Sequence, residues 1–187
     1  MPKIDKEEIK RVYIQADLLY SEAEVEQAIN KLAALVTEHM ADKTPVVFPV
    51  LNGGLVVGGK LLTKLNFPLE AGYLHATRYR NTTSGHSLEW LMKPQIDVKG
   101  RAVLIVDDIF DEGITLTEIV NHCHAEGASE VKVAVLVHKN HNRTAIPALQ
   151  ADFIGLEIED RYVFGYGMDY KGYWRNAPGI FAVRERE

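Results

Sequence analysis

With one cysteine in 187 residues, this chain cannot close an internal disulfide, which fits a reducing compartment. It also has no apolar stretch approaching the roughly 20 residues needed to cross a bilayer. The opening Met1-Pro2-Lys3-Ile4-Asp5-Lys6-Glu7-Glu8 is charged and lacks the apolar run of a signal peptide. A cytoplasmic protein with no membrane partner is expected. Net charge is −5, with no basic block and no arginine-rich helix. This argues against a dedicated nucleic-acid binder, whose affinity would rest on neutralising phosphates, but it leaves room for a pocket holding a few well-placed cations. Repeats and low-complexity segments are absent, so one domain spanning 1–187 is expected. With 47% apolar residues the chain can bury its own core without a disulfide or metal staple.

What is present alternates between two periods. Ser21 followed by Glu24 is a capping-box pattern, and Val25, Ala28, Ile29, Leu32, Leu35 and Val36 then recur at helical spacing to about Met40. Pro45–Leu51 reads as a buried strand ended by Asn52-Gly53-Gly54, followed by a helix over Leu55–Leu65 that Gly58 and Gly59 weaken. Ala71–Thr77 and Ala102–Val106 are further strands. Leu116, Ile119, Val120 and Cys123 form a helical stripe ending near Gly127, and strands follow at Val131–Val137 and Phe153–Ile158. Apolar strands alternating with helices predict an α/β domain with a mainly parallel sheet. The N-terminal segment and the aromatic, irregular stretch from Tyr162 to Val183 are expected to cap one end of that sheet.

The segment with most chemistry is Val106-Asp107-Asp108-Ile109-Phe110-Asp111-Glu112-Gly113-Ile114-Thr115. A buried strand delivers carboxylates to the carboxyl edge of the sheet, where open α/β proteins bind ligands. The helix that follows offers free N–H groups and a partial positive charge, which suits a phosphate. Such acids can simply cap a helix. Four carboxylates in six residues, however, resist ionising together, and need hydroxyl donors, a cation or a proton to hold.

This segment resembles the phosphoribosyl-diphosphate-binding motif of type I phosphoribosyltransferases. The run from Asp152-Phe153-Ile154-Gly155-Leu156-Glu157-Ile158 through Val163-Phe164-Gly165-Tyr166-Gly167-Met168-Asp169-Tyr170 to Tyr173-Trp174-Arg175 is similar to the hypoxanthine-guanine members in particular. The resemblance implies the type I phosphoribosyltransferase fold: a parallel central sheet flanked by helices, a hood from about 1–20 and 160–187, and a mobile loop at about 78–95. It implies transfer of a 5-phosphoribosyl group from phosphoribosyl diphosphate to hypoxanthine or guanine, with Mg2+, in a homodimer or homotetramer.

The same resemblance assigns roles. Asp107 and Asp108 would face the ribose hydroxyls directly or through magnesium, and Asp111 would accept the proton of purine N7. Backbone N–H groups of Glu112, Gly113, Ile114 and Thr115, with the Thr115 hydroxyl, would hold the 5-phosphate. Relatives often carry Thr at position 112 and Lys or Gly at 114, so Glu112 is expected to turn its side chain away. Leu51, Asn52 and Gly53 would bind diphosphate across a cis peptide before residue 52, assisted by Arg175. On local grounds alone, Asn52-Gly53 is an ordinary turn. Arg78 and Tyr79 would belong to the lid, whose family signature is Ser-Tyr. The alternative for that stretch is a plain exposed loop with a helical end at Leu88–Met92. Lys139, one residue beyond the expected register because His138 intervenes, would donate to the purine 6-oxo group. Tyr162 would stack on the base and the Val163 backbone would meet its edge. Asp169 would be a further magnesium carboxylate near the base. Taken singly, Lys139 reads as a surface lysine, Tyr162 as core, and Asp169 with Arg175 as an ion pair.

Consecutive residues on a helix point about 100° apart, so His122, Cys123 and His124 cannot converge on one metal, and Cys123 belongs to the core stripe. His138 and His141 could meet in a loop, which is weak grounds for zinc without a third ligand. Two other functions remain open: transfer to a different base such as xanthine, and a regulator that senses phosphoribosyl diphosphate while binding nucleic acid. The second would need a basic face or an added module, and this acidic, short chain has neither.

Overall fold

The computed structural model describes residues 5–78, 88–141 and 149–184. The order of elements is α1 (Lys6–Gln15), β1 (Asp17–Ser21), α2 (Glu22–Met40), β2 (Val46–Leu51), α3 (Gly54–Leu62), β3 (Glu70–Ala71), β4 (Leu74–Arg78), β5 (Leu88–Met92), β6 (Ala102–Phe110), α4 (Ile114–Ala125), β7 (Glu130–Asn140), β8 (Phe153–Glu159), β9 (Val163–Phe164) and β10 (Gly179–Ala182). The central sheet runs β5-β4-β2-β6-β7-β8, with β3 also on β2. All its pairings are parallel except β4 with β5.

Alternation along the strands divides the core between the two faces. Leu104, Val106, Ala134 and Leu136 meet α2 and α3 through Ile29, Leu32, Val36, Val57 and Leu61. Val103, Ile105, Val133 and Val135 meet α4 through Leu116, Ile119 and Cys123. Each helix stands where its sequence punctuates it. The Ser21–Glu24 capping box is formed in both directions. At the other end of α4, Gly127 adopts φ +87 while its N–H bonds to His124 and that of Ala128 to Cys123, a Schellman stop. Gly58 has a packing reason: a Cβ there would lie 2.6 Å from the Pro49 ring, so its absence lets α3 settle on β2.

Several boundaries differ from the sequence reading. The helix expected over Leu55–Leu65 spans Gly54–Leu62. The strand expected over Ala71–Thr77 is split into β3 and β4, with the N–H of Gly72 bonded to Val47 at the break. Leu88–Met92 is a strand and not a helical end: it pairs with β4, Trp90 packs on the α4-side core, and the Trp90 and His122 rings stand 4.8 Å apart. Burial of Trp90 on the sheet thus overrides the helix-favouring Leu, Glu and Met of that segment. Strand β6 continues four residues past Val106 and β7 three past Val137, because their backbones remain paired as far as Phe110 and His138. Asp107, Asp108, His138 and Lys139 are therefore strand residues.

The chain ends meet in a second sheet, β1-β10-β9, which forms a hood. Tyr13 stacks on Trp174 at 4.5 Å, Trp174 donates its indole N–H to the Ile9 carbonyl at 2.6 Å, and Arg161 reaches Asp17 at 2.6 Å. The hood is pinned to the helices by Tyr166, whose hydroxyl donates to Glu26, the carboxylate that also pairs with Lys60. It touches the sheet edge itself at Gly167, with φ +112, where a Cβ would fall 2.1 Å from the Gly53 carbonyl oxygen. Gly167→Ala is expected to destabilise the protein by about 1–3 kcal/mol, through the positive φ and a backbone clash that no side-chain shift relieves. Urea unfolding compared with wild type measures this.

Candidate active site

The carboxyl ends of β2, β6 and β7 lie side by side, and each leads into part of one site. Beyond β2 the Leu51–Asn52 peptide is cis, the geometry that the resemblance implied. Gly53 then stands at the head of α3 with no side chain capping the helix. Beyond β6 the chain turns through Asp111 to Gly113, φ +75, which heads α4, again without a side-chain cap. A Cβ on Gly113 would lie 2.6 Å from the Phe110 ring, so glycine answers both the backbone angle and the close approach. Two adjacent strands thus end at two helix N-termini whose N-cap residues, both glycine, supply no side-chain cap, with their partial positive charge at the same edge. No acidic residue stands in the first turn of either helix.

Asp107 and Asp108 lie between these two termini. Asp108 is 7% exposed and lies against the β2 loop: a Cβ on Gly53 would sit 2.3 Å from its Oδ2, and one on Gly167 3.2 Å from its Cβ. Asp107 accepts the Asp108 N–H through Oδ1 at 2.9 Å. Burial, and then the charge of Asp108, push the Asp107 carboxyl well above its ordinary range. Burial raises Asp108 too, against the opposing pull of its hydrogen bond with Asp107 and the charge of Arg175. The pair is short of positive charge.

Asp111 has the opposite environment. Lys139, its side chain 10% exposed, donates to Oδ2 at 3.1 Å and stands 3.8 Å from Asp160. His141 approaches Oδ1 with Nε2 at 2.5 Å, and its ring is 4% exposed. Partial burial raises the Asp111 carboxyl, but the hydrogen bonds from His141 and Lys139 outweigh it and hold the group below the usual carboxylate range. His141 therefore turns to Asp111, while His138 packs its ring 5.5 Å from Phe110. Reading the sequence had not singled out His141 for this site. The signal was its i, i+2 spacing from Lys139, visible only once β7 is extended to Asn140.

From the hood, Arg175 reaches Asp169 Oδ1 at 2.5 Å, and Asp169 Oδ2 accepts the Gly172 N–H at 2.6 Å. The ion pair that these residues suggested in isolation is thus formed, with Arg175 close enough to act on Asp107 and Asp108. Tyr162 is 54% exposed; its hydroxyl donates to the Asp169 carbonyl at 3.3 Å and its ring meets Tyr170 edge-on. Val163 is buried in β9. Glu112 and Thr115 are half-buried at the turn. Arg78 ends β4, and Tyr79 lies outside the described residues. Cys123 is a core thiol that burial pushes up to about 11.

Among the described residues no three His, Cys, Asp or Glu side chains are grouped to hold a metal, and no helix is long and apolar enough to cross a membrane. A magnesium ion is still compatible with Asp107 and Asp108. It binds through one or two carboxylates and completes its shell with substrate and water oxygens, and a buried Asp108 and a half-buried Asp107 beside it, both raised first by loss of solvation, fit that demand.

Residues 15–171 match the phosphoribosyl transferase domain family. The hypoxanthine-guanine-xanthine phosphoribosyltransferase of Tritrichomonas foetus is 33% identical over 90% of this chain and 91% of its own length. The hypoxanthine-guanine phosphoribosyltransferase of Bacillus subtilis is 32% identical over 89% and 92%. A solved hypoxanthine-guanine-xanthine phosphoribosyltransferase superposes with TM-score 0.76 at 31% identity, covering 90% of this chain and 94% of that one. A Staphylococcus aureus hypoxanthine phosphoribosyltransferase reaches 0.85 at 22% identity over 92% and 94%, a likeness of fold. With its parallel sheet, hood and strand-end acids, the chain belongs to the phosphoribosyl transferase family.

Proposed function

We propose that this chain is a purine-salvage enzyme: it transfers the 5-phosphoribosyl group of phosphoribosyl diphosphate to hypoxanthine or guanine, releasing diphosphate and the nucleotide. The observation that carries the reading is the two uncapped helix N-termini on adjacent strand ends, with Asp107 and Asp108 between them and the Lys139–Asp111 pair beside them. A substrate with a phosphate at one end, a diphosphate at the other and ribose hydroxyls between them matches that order. The α4 terminus, with the N–H groups of Glu112, Gly113, Ile114 and Thr115 and the Thr115 hydroxyl, takes the 5-phosphate. Leu51, Asn52 and Gly53 take the diphosphate through their backbone, and Arg175 adds a charge to it. Asp107 and Asp108 accept from the ribose hydroxyls. Arg78 and Tyr79 are assigned to the lid that keeps water out.

For the base, Tyr162 supplies an exposed ring for stacking and Val163 a backbone edge. Lys139 leaves Asp111 Oδ2 for the purine 6-oxo group, which frees that oxygen to receive the N7 proton. As the C1–O bond to diphosphate breaks and the leaving group keeps the electron pair, purine N9 forms the new bond to C1. Asp111 takes the N7 proton, and its charge offsets the positive charge building on the ribose. Asp107 and Asp108, joined by Asp169 once it parts from Arg175, would hold magnesium, which would supply charge neutralisation for the diphosphate and the carboxylates. Activity is expected to vanish in excess chelator and return with added magnesium, as followed by nucleotide formation.

A lysine ammonium has donors and no acceptor, so it satisfies a 6-oxo group and opposes the 6-amino group of adenine. Sites built to hydrogen-bond one group reject analogues lacking it by about 10⁴–10⁵-fold. In a panel of bases with phosphoribosyl diphosphate, hypoxanthine and guanine are expected to turn over and adenine to be excluded. Comparable rates with adenine would refute this account. Xanthine belongs in the panel because the T. foetus relative is named for it. Asp111→Asn is expected to lower turnover by about 10²–10⁴-fold with little change in phosphoribosyl diphosphate affinity, as separated by steady-state kinetics and direct titration.

A further inference from the structure

We infer that His141 is a positioning residue that holds Asp111 in place while Lys139 moves to the base. The inference rests on the function proposed above. Lys139 and His141 are two apart at the end of β7, and each holds a different oxygen of the same carboxylate, at 3.1 and 2.5 Å. In the proposed reaction Lys139 exchanges its bond to Asp111 in the free protein for one to the purine 6-oxo group in the complex. When its ammonium leaves Oδ2, a carboxylate with no other partner could swing after it and close the space that N7 needs. His141 prevents this. Its ring is 4% exposed, so it has little room to turn, and it holds Oδ1, the oxygen that Lys139 does not bond. Oδ2 then stays aimed where the ammonium was.

The direction of the bond follows from the chemistry of Asp111. Its carboxyl is held below the usual range and is ionised near neutrality, where a carboxylate only accepts. The nitrogen facing it must therefore carry the proton. An N–H donor is all the role requires, whether or not the imidazole is charged. This is the arrangement of a base oriented by a third group, with imidazole and carboxylate in exchanged places.

The test uses the full-length chain with phosphoribosyl diphosphate, magnesium and hypoxanthine, comparing wild type, His141→Ala, His141→Gln, Asp111→Asn and the Asp111→Asn/His141→Ala double variant. His141→Ala should lower kcat by about 10–100-fold, less than loss of the proton acceptor itself, with KM for phosphoribosyl diphosphate nearly unchanged. His141→Gln, whose amide nitrogen extends about as far as Nε2, should recover most of that loss. In the Asp111→Asn background, removing His141 should cost no more than about twofold, because there is no carboxylate left to aim. Urea unfolding of each variant separates loss of fold from loss of alignment. The inference is overturned by wild-type kcat in His141→Ala, by a Gln variant as impaired as Ala, or by equal losses in both backgrounds. If wild type turns over neither hypoxanthine nor guanine, the proposed function fails and this inference with it. An active wild type with an unaffected His141→Ala sinks the inference alone.

Discussion

The parallel ladder between β2 and β6 is the constraint on which the site depends. Val46 to Pro49 pair in register with Val103 to Val106, so both strands reach the same edge of the sheet within a residue or two. Parallel strands point the same way, and each leaves its edge into a helix that packs back on the sheet. The heads of α3 and α4 therefore open side by side, on opposite faces. A shift of one residue in this ladder would turn Asp108 from the Gly53 side toward the α4 side and separate the carboxylates from the β2 loop. The fully buried Val46, Val47, Phe48, Val103, Leu104 and Ile105 forbid that shift, since every apolar side chain would change faces with it. The apolar interior fixes the register, and the register positions the polar edge.

Beyond that edge, the electrostatics divide between two kinds of carboxylate. Asp107 and Asp108 lie inside a well-packed corner and are raised, so they hold their charge poorly until positive charge arrives. Asp111, three residues later, already has two donors and is lowered. The difference comes from strand geometry: the first two are still within β6, shielded by the β2 loop and the hood, whereas Asp111 is on the turn where β7 can reach it. In the proposed reaction the first pair waits for a substrate and its magnesium, and the third must give up one of its partners to the base.

Much of the fold was legible because its signals are local. The capping box at Ser21 and Glu24, the stripe on α4 and the glycine that stops it are each set by residues within a turn of one another. The acids of β6 were legible as a site for the same reason. Strand lengths were not. The apolar run of β6 stops at Val106, but its backbone remains paired to Phe110 because β7 runs alongside, and no property of residues 107–110 alone reveals this. The same limit made Leu88–Met92 look helical, since only the neighbouring β4 makes it a strand. It also left His141 unassigned: placed in a loop, it has no defined direction, whereas one step beyond an eleven-residue strand it must share a face with Lys139.

The hood couples the chain ends to this chemistry through few contacts. Tyr166 meets Glu26, which Lys60 on α3 also holds, so the hood and the helix behind the β2 loop share one carboxylate. Gly167 then brings the hood backbone against Gly53 and Asp108, and Arg175 acts on Asp107 and Asp108 from the same segment. The charge that partly offsets these two aspartates thus comes from near the C-terminus, held by Trp174 docking onto α1 near the N-terminus. Arg175 is itself divided: Asp169 takes one guanidinium nitrogen at 2.5 Å, and the Gly167 carbonyl accepts from the other. If an incoming diphosphate draws on the charge of Arg175, Asp169 loses part of this pairing and becomes available to a cation. The ion pair of the free protein and the magnesium site of the complex then become alternative uses of the same carboxylate.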